Sequence, residues 1–168
     1  MAQTTDTPQE KFTIRRSVPT DRQAVLDLVD DTEFFRPDEL EIAREVLDEA
    51  IAKGADGDYQ SFVADVAGLA VGWVCWGPTP CTLGTFDVYW LAVSPKHQGL
   101  GLGRALMKFA EDGIFRAGGR LSIVETAGRE EYVSTRLFYE RVGYHEAARV
   151  KDFYSPGDDK VIYTKYIN

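Results

Sequence analysis

The stretch Phe86-Asp87-Val88-Tyr89-Trp90-Leu91-Ala92-Val93-Ser94-Pro95-Lys96-His97-Gln98-Gly99-Leu100-Gly101-Leu102-Gly103-Arg104 decides the fold. Residues 86–93 are rich in aromatic and β-branched side chains and read as a strand that Pro95 ends. From Gly103 to Ala117 the apolar residues Ala105, Leu106, Phe109 and Ala110 recur at helical spacing, and Gly118-Gly119 supplies a stop. Leu121 to Glu125 is the next strand, and a helical crossover between two strands makes that pair parallel. Between strand and helix, glycine at 99, 101 and 103 lets successive backbone N–H groups turn toward one centre, in front of the positive end of the helix dipole. Such a turn suits a pyrophosphate, and it equally suits a plain tight connection. No Gly-Lys-Ser/Thr follows, which excludes a Walker A loop. The dinucleotide fingerprint also fails, because its third glycine falls at Arg104.

Outward from this unit, Phe12 and Ile14 alternate with polar neighbours and suggest a first strand. Thr20 or Asp21 can cap a helix running to Val29, and Pro37 opens a second that stops at Gly54, with Leu40, Ala43, Val46, Leu47 and Ile51 on its apolar stripe. Tyr59–Ala67 and Leu69–Trp76 form a hairpin around Ala67-Gly68, and Gly77–Gly84 is loop. A helix over Glu131–Val142 ends at Gly143, and strands Tyr144–Tyr154 and Val161–Ile167 flank a turn at Ser155-Pro156-Gly157-Asp158. The expectation is an α/β fold: a mixed, mostly antiparallel sheet with a central parallel strand pair and helices on both faces. One domain over residues 11–168 follows a polar tail, residues 1–10, expected to be disordered.

The chain has 168 residues, 44% hydrophobic and 27% charged, enough for one well-buried domain. Two cysteines, Cys75 and Cys81, and two lone histidines match no metal-ligand spacing, so metal and disulfide scaffolds are set aside and the cysteines are assigned no chemistry. No secretory signal or membrane span is read, so the expected location is cytoplasmic. The net charge of −8 repels phosphate backbones and argues against nucleic acid. All of it resides in residues 21–50, where eleven acids face only Arg22, Arg36 and Arg44. Those acids are either a solvated helical face or a field that attracts a cationic amine.

Gln98-x-x-Gly101-x-Gly103 after Leu91-Ala92-Val93-Ser94-Pro95 resembles the acetyl-CoA signature of the GNAT N-acetyltransferase superfamily. Leu137-Phe138-Tyr139-Glu140-Arg141-Val142-Gly143-Tyr144 is similar to that family's second motif, and the order of elements from Phe12 onward also fits. Two departures stand out: Tyr132 and Thr135 occupy positions where the family often has Asn and Ala, and the Asn commonly helps hold pantetheine. The resemblance implies direct transfer of an acetyl group from acetyl-CoA to a primary amine in a ternary complex, without a metal. A non-catalytic acyl-CoA-binding or regulatory module on the same fold is the alternative. The acceptor would be a small-molecule or peptide amine, with homodimer formation left open.

By the same resemblance Gln98, Gly99, Leu100, Gly101, Leu102, Gly103 and Arg104 surround the pyrophosphate. Leu91 and Val93 pair with pantetheine as if it were another strand, and the Leu91 N–H faces the developing oxyanion. Tyr139 protonates the leaving thiolate. Asp87 stands eleven residues before the motif Gln98, the spacing of a catalytic glutamate in the histone-acetylating branch. Period two also places Asp87, Tyr89, Leu91 and Val93 on one strand face. Glu125 is an alternative base or amine anchor. Phe34, Phe35 and Tyr154, with the acidic segment, are candidate walls of the amine site.

Overall fold

A computed structural model of the chain describes residues 12–168; the expected N-terminal tail lies outside the described residues. Seven strands form one sheet: β1 (Thr13–Arg16), β2 (Gln60–Val66), β3 (Leu69–Pro78), β4 (Thr85–Val93), β5 (Leu121–Ala127), β6 (His145–Ser155) and β7 (Asp158–Tyr166). Their spatial order is β1-β2-β3-β4-β5-β7-β6, and β4 with β5 is the parallel pair. Helices α1 (Arg22–Asp30) and α2 (Pro37–Lys53) separate β1 from β2. Helix α3 (Leu102–Arg116) crosses from β4 to β5, and α4 (Val133–Arg141) leads to β6.

Each helix buries one stripe. Val25, Leu28 and Val29 of α1 and Ala43 and Leu47 of α2 pack on Val63, Trp73, Cys75 and Ala92 of the sheet. On the opposite face Leu106, Met107, Ala110 and Ile114 of α3 meet Val74, Trp76, Val88 and Val124, and Tyr139, Tyr144 and Tyr163 extend this core under α4. Gly113 is costly inside a helix, yet a Cβ there would lie 2.6 Å from the Trp76 ring, so only glycine lets α3 reach the sheet. Across the sheet's other half, the Ser122 and Tyr144 hydroxyls are 2.8 Å apart, and Lys165 Nζ donates to both oxygens of Glu111 at 2.9 Å.

The element order matches the sequence expectation, with shifts at the ends. The first strand starts one residue late, at Thr13, and the hairpin turn is the expected Ala67-Gly68, both at positive φ. Asp21 does not cap α1 through its side chain. It is turned back toward the sheet, where Arg15 donates to both of its oxygens at 2.7 and 2.8 Å and the Val18 N–H donates at 2.9 Å. Arg15 also donates to Asp65 on β2, so one guanidinium ties β1, β2 and the entry to α1.

Burial alone would raise the Asp21 carboxyl, but the bonds from Arg15 and Val18 more than offset it and hold it below the usual carboxylate range. A carboxyl depressed in the folded state contributes stability above its unfolded pKa of about 4 and loses it as pH falls through the folded value. Asp21→Asn is therefore expected to cost about 2–3 kcal/mol at pH 7, with the penalty shrinking below about pH 4, as read by urea denaturation across pH.

Candidate active site

The site begins with an irregularity in β4. Opposite β3, Cys75 faces Trp90 and Trp76 faces Val88, so Tyr89 is an extra residue without a partner. This bulge reverses the phase of the strand. Phe86 and Val88 before it, and Leu91 and Val93 after it, all pack toward α3, whereas Trp90 and Ala92 pack toward α1 and α2. The expected sharing of one face by Asp87, Tyr89, Leu91 and Val93 is thus corrected: Asp87 lies on the face opposite to Leu91 and Val93. A strict period of two cannot survive an inserted residue.

At the same point β4 parts from β5. Their register runs only through Thr85 with Leu121, Phe86 with Ser122 and Asp87 with Ile123. Beyond it the strands diverge, and a cavity of about 550 Å³ opens between Trp90–Val93 on one side and Glu125–Ala127 on the other. Leu91, Val93, Gln98, Tyr139, Phe34, Phe35, Glu125 and Tyr154 all line it. Asp87 and the residues from Gly99 to Arg104 do not, the latter forming the turn beyond the end of β4.

That turn has the geometry of an anion cradle. Gln98 Nε2 donates to the Val93 carbonyl at 3.1 Å and folds the loop against the strand end. Gly99 and Gly101 have φ of +77° and +84°, and a Cβ on either would meet nothing within 4 Å, so open space lies before the first turn of α3. Leu102 is buried in the core, leaving only its backbone for a ligand. Arg104 is exposed in that first turn, where a cation is unfavourable beside the positive helix end unless an anion joins it. These residues fit the pyrophosphate of acetyl-CoA, and the unpaired edge of β4 fits an extended amide-bearing arm such as pantetheine.

Tyr139 is buried against Phe138, Tyr144 and Tyr163, and burial pushes its phenol up to about 12, so it stays protonated at neutral pH. No described residue hydrogen-bonds its hydroxyl, and the side chain lines the cavity. Asp87 is half-buried and accepts from Thr79 Oγ1 at 2.5 Å. Burial, and secondarily the charge of Glu125, raise its carboxyl above the ordinary value despite that bond. Glu125 pairs with Lys160 at 2.6 Å.

The cavity walls are aromatic, and they are tied together. Phe35 meets Trp90 edge-on at 5.2 Å, Trp90 stacks on Trp73 at 5.7 Å, and Tyr59 meets Tyr89 at 5.3 Å. Tyr132, standing where the motif often has Asn, donates its hydroxyl to the Phe34 carbonyl at 3.0 Å. Its ring lies 5.4 Å from that of Phe34, and Arg129 Nη2 reaches the same carbonyl at 3.4 Å. Tyr132, Arg129 and Asp158 were not among the expected site residues. The only sequence signal for any of them was the departure at 132.

The acidic segment is not a wall. Asp21 pairs with Arg15, Asp48 with Arg22, Asp38 with Arg36, Glu41 with Arg44 and Glu49 with Lys53, and of its eleven acids Glu39 alone lines the cavity. The apolar stripe of α2 turns inward and leaves its acids facing outward. Among the described residues no group of three or more His, Cys, Asp or Glu is placed to hold a metal, and no helix is long and apolar enough to cross a membrane.

Comparison with known proteins agrees with this architecture. The family model for the acetyltransferase (GNAT) domain matches residues 57–146. A crystal structure from Desulfovibrio desulfuricans, described as a GNAT-family acetyltransferase, is 42% identical. It superposes with a TM-score of 0.90, covering 94% of this chain and all of that one. An uncharacterized N-acetyltransferase of Methanocaldococcus jannaschii is 31% identical over 109 residues, a match that spans 62% of this chain and 64% of that protein's length. An acetyltransferase fold from Salmonella typhimurium, solved with its cofactor acetyl-CoA, gives a TM-score of 0.74 at 17% identity over 94% of this chain and 95% of that one. The chain belongs to the GNAT acetyltransferase family.

The tie between Tyr132 and the α1–α2 connection makes a local prediction. Tyr132→Phe should speed amide exchange in residues 31–36 roughly fivefold, for a lost bond of about 1 kcal/mol. Exchange in α3 should be unchanged when both are followed by mass spectrometry.

Proposed function

We propose that the protein is an N-acetyltransferase that moves the acetyl group of acetyl-CoA to an amine by direct transfer, with both substrates in the cavity at the β4–β5 split. The observation that carries this reading is a single cavity lined by both the unpaired edge of β4 at Leu91–Val93 and the Tyr139 side chain, with the glycine turn lying just beyond the strand end at Gln98.

Acetyl-CoA, when bound, supplies the thioester. The N–H groups from Gly99 to Gly103 and the Arg104 guanidinium hold the pyrophosphate, while Leu91 and Val93 pair with the pantetheine arm. The Leu91 N–H donates to the acetyl carbonyl, where negative charge grows as the amine attacks. Tyr139 donates its proton to the departing sulfur. A phenol held near 12 would give that proton up only to a strong acceptor such as a thiolate. Glu125, in the cavity wall, takes the proton from the amine. Asp87, behind it on the same face of the sheet, holds negative charge nearby and is linked to it electrostatically. Nothing in this scheme uses a covalent enzyme intermediate: Cys75 is buried with its thiol pushed far up by burial.

Calorimetry checks the cofactor site: the native protein should bind acetyl-CoA, and Gly101→Glu, which puts a carboxylate and a Cβ at positive φ into the cradle, should weaken binding at least tenfold. Native affinity in that variant would remove the pyrophosphate assignment. Thiol release over a panel of amines checks the chemistry. Tyr139→Phe should lower kcat about tenfold to a hundredfold with acetyl-CoA affinity within a few fold. Glu125→Gln should move the acid limb of kcat/KM to more alkaline pH, with Asp87→Asn moving it less. Wild-type turnover in the first, or unaltered profiles in the other two, would assign those protons to solvent.

A further inference from the structure

One end of the cavity carries two charged groups that the scheme above does not use. Asp158, at the start of β7, lines the cavity and is only 5% exposed, and its Oδ1 has no hydrogen-bond partner among the described residues. Arg129, from the β5–α4 connection, lines the same end, and its Nε is likewise buried without a hydrogen bond. The two face each other at 3.7 Å from Arg129 Nε to Asp158 Oδ2, too long for a hydrogen bond. Loose loops do not explain the gap. The Gly128 N–H donates to the Asp159 carbonyl at 2.7 Å, so the backbones that carry both side chains are fastened one residue away from each.

A buried donor and a buried acceptor left unmatched side by side cost free energy, and the cost is recovered by whatever matches both. A second ammonium on the substrate would satisfy Asp158 and be repelled by Arg129, and a carboxylate would meet the reverse. The pair has no net charge, so its best complement is also neutral and offers an acceptor and a donor on adjacent atoms. That describes an amide, whose carbonyl accepts from Arg129 Nε and whose N–H donates to Asp158 Oδ1 once the two side chains turn these covered atoms toward the cavity.

We propose that Arg129 and Asp158 form an amide-recognising subsite, so that the acetylated amine belongs to an amino-acid amide or peptide rather than to a simple alkylamine or polyamine. The proposal rests on the acetyltransferase reading for the reacting amine, while the subsite itself is a matter of binding. The aromatic walls at Phe34, Phe35 and Trp90 suit a probe with an aromatic frame.

Phenylalaninamide and phenylalanine methyl ester have similar frames and α-amines of similar basicity, but only the amide has an N–H for Asp158. Titrated by calorimetry into the protein loaded with coenzyme A, the amide should bind at least about tenfold more tightly than the ester. In Asp158→Asn the ratio should fall to within about twofold, because the asparagine NH₂ can donate to the ester. In Arg129→Met both probes should weaken. Equal binding of the two probes by the native protein, a preference that persists in both variants, or no binding of either probe would overturn the subsite. If the amide binds with the expected preference but acetyl-CoA yields no free thiol in its presence, the acetyltransferase reading fails and the subsite stands. Thiol release from the ester as fast as from the amide, with equal binding, gives the converse.

Discussion

Two parallel strands that pair for only three residues and then separate are the constraint on which this molecule is built. A strand inside a sheet has donors and acceptors on both edges, and β4 keeps β3 on one edge along its whole length while losing β5 on the other beyond Asp87. The rest of the fold keeps that opening from collapsing. Helix α3 anchors the split from one side through Trp76 and Gly113, α4 brings Tyr139 to it, and the second sheet edge is rebuilt by β7 and β6 beyond β5. The bulge at Tyr89 belongs to the same solution. One extra residue increases the local twist of β4 and turns Leu91 and Val93 toward the α3 face, so the strand can leave β5 without leaving β3.

The glycine turn is the continuation of that strand, and the two together define the direction of a bound molecule. In the proposed complex, its anionic end lies before α3, where the helix dipole and Arg104 act together. In the same proposal, its extended arm runs along the free edge of β4 and its reactive end lies beside Tyr139. The strand edge and the turn are neighbours in sequence, whereas Tyr139 reaches the same cavity from α4, on the far side of β5 in the chain.

How much of this was legible differs by the range of the interaction involved. The glycines at 99, 101 and 103 and the aromatic helix around Tyr139 act through local backbone geometry and neighbouring residues, and the sequence places them correctly. The splay of β4 from β5 has no local signature, since neither Val88–Val93 nor Val124–Ala127 differs in composition from a paired strand. The bulge at Tyr89 is set by the pairing of Cys75 and Trp76 on another strand, which is why the alternation assigned to Asp87 and Leu91 fails. Asp21 looked like a helix cap because capping is the common local use of an aspartate there, but Arg15 competes for it with two hydrogen bonds. The acidic run from Asp21 to Glu49 is conspicuous in sequence and nearly absent from the cavity. Periodicity already hinted at this, since its acids fall between the buried Ala43, Leu47 and Ala50.

The walls of the cavity follow a different logic from its floor. The floor is β4 and the end of β5, with β4 packed on both faces. The walls come from the α1–α2 connection at Phe34 and Phe35, the β5–α4 connection at Arg129 and Tyr132, and the β6–β7 hairpin at Tyr154 and Asp158. These three are interlocked: Tyr132 and Arg129 bond to the Phe34 carbonyl, and Gly128 bonds to Asp159. In the proposed function these bonds make the acceptor walls one linked unit, so substitutions in the three segments are expected to be non-additive. Tyr132 shows how such a unit arises. Its phenol crosses from the β5–α4 connection to the Phe34 carbonyl of the opposite wall, so one hydroxyl closes the gap between two segments nearly a hundred residues apart, and in the proposed function cofactor binding then falls to the backbone groups of β4 and the glycine turn.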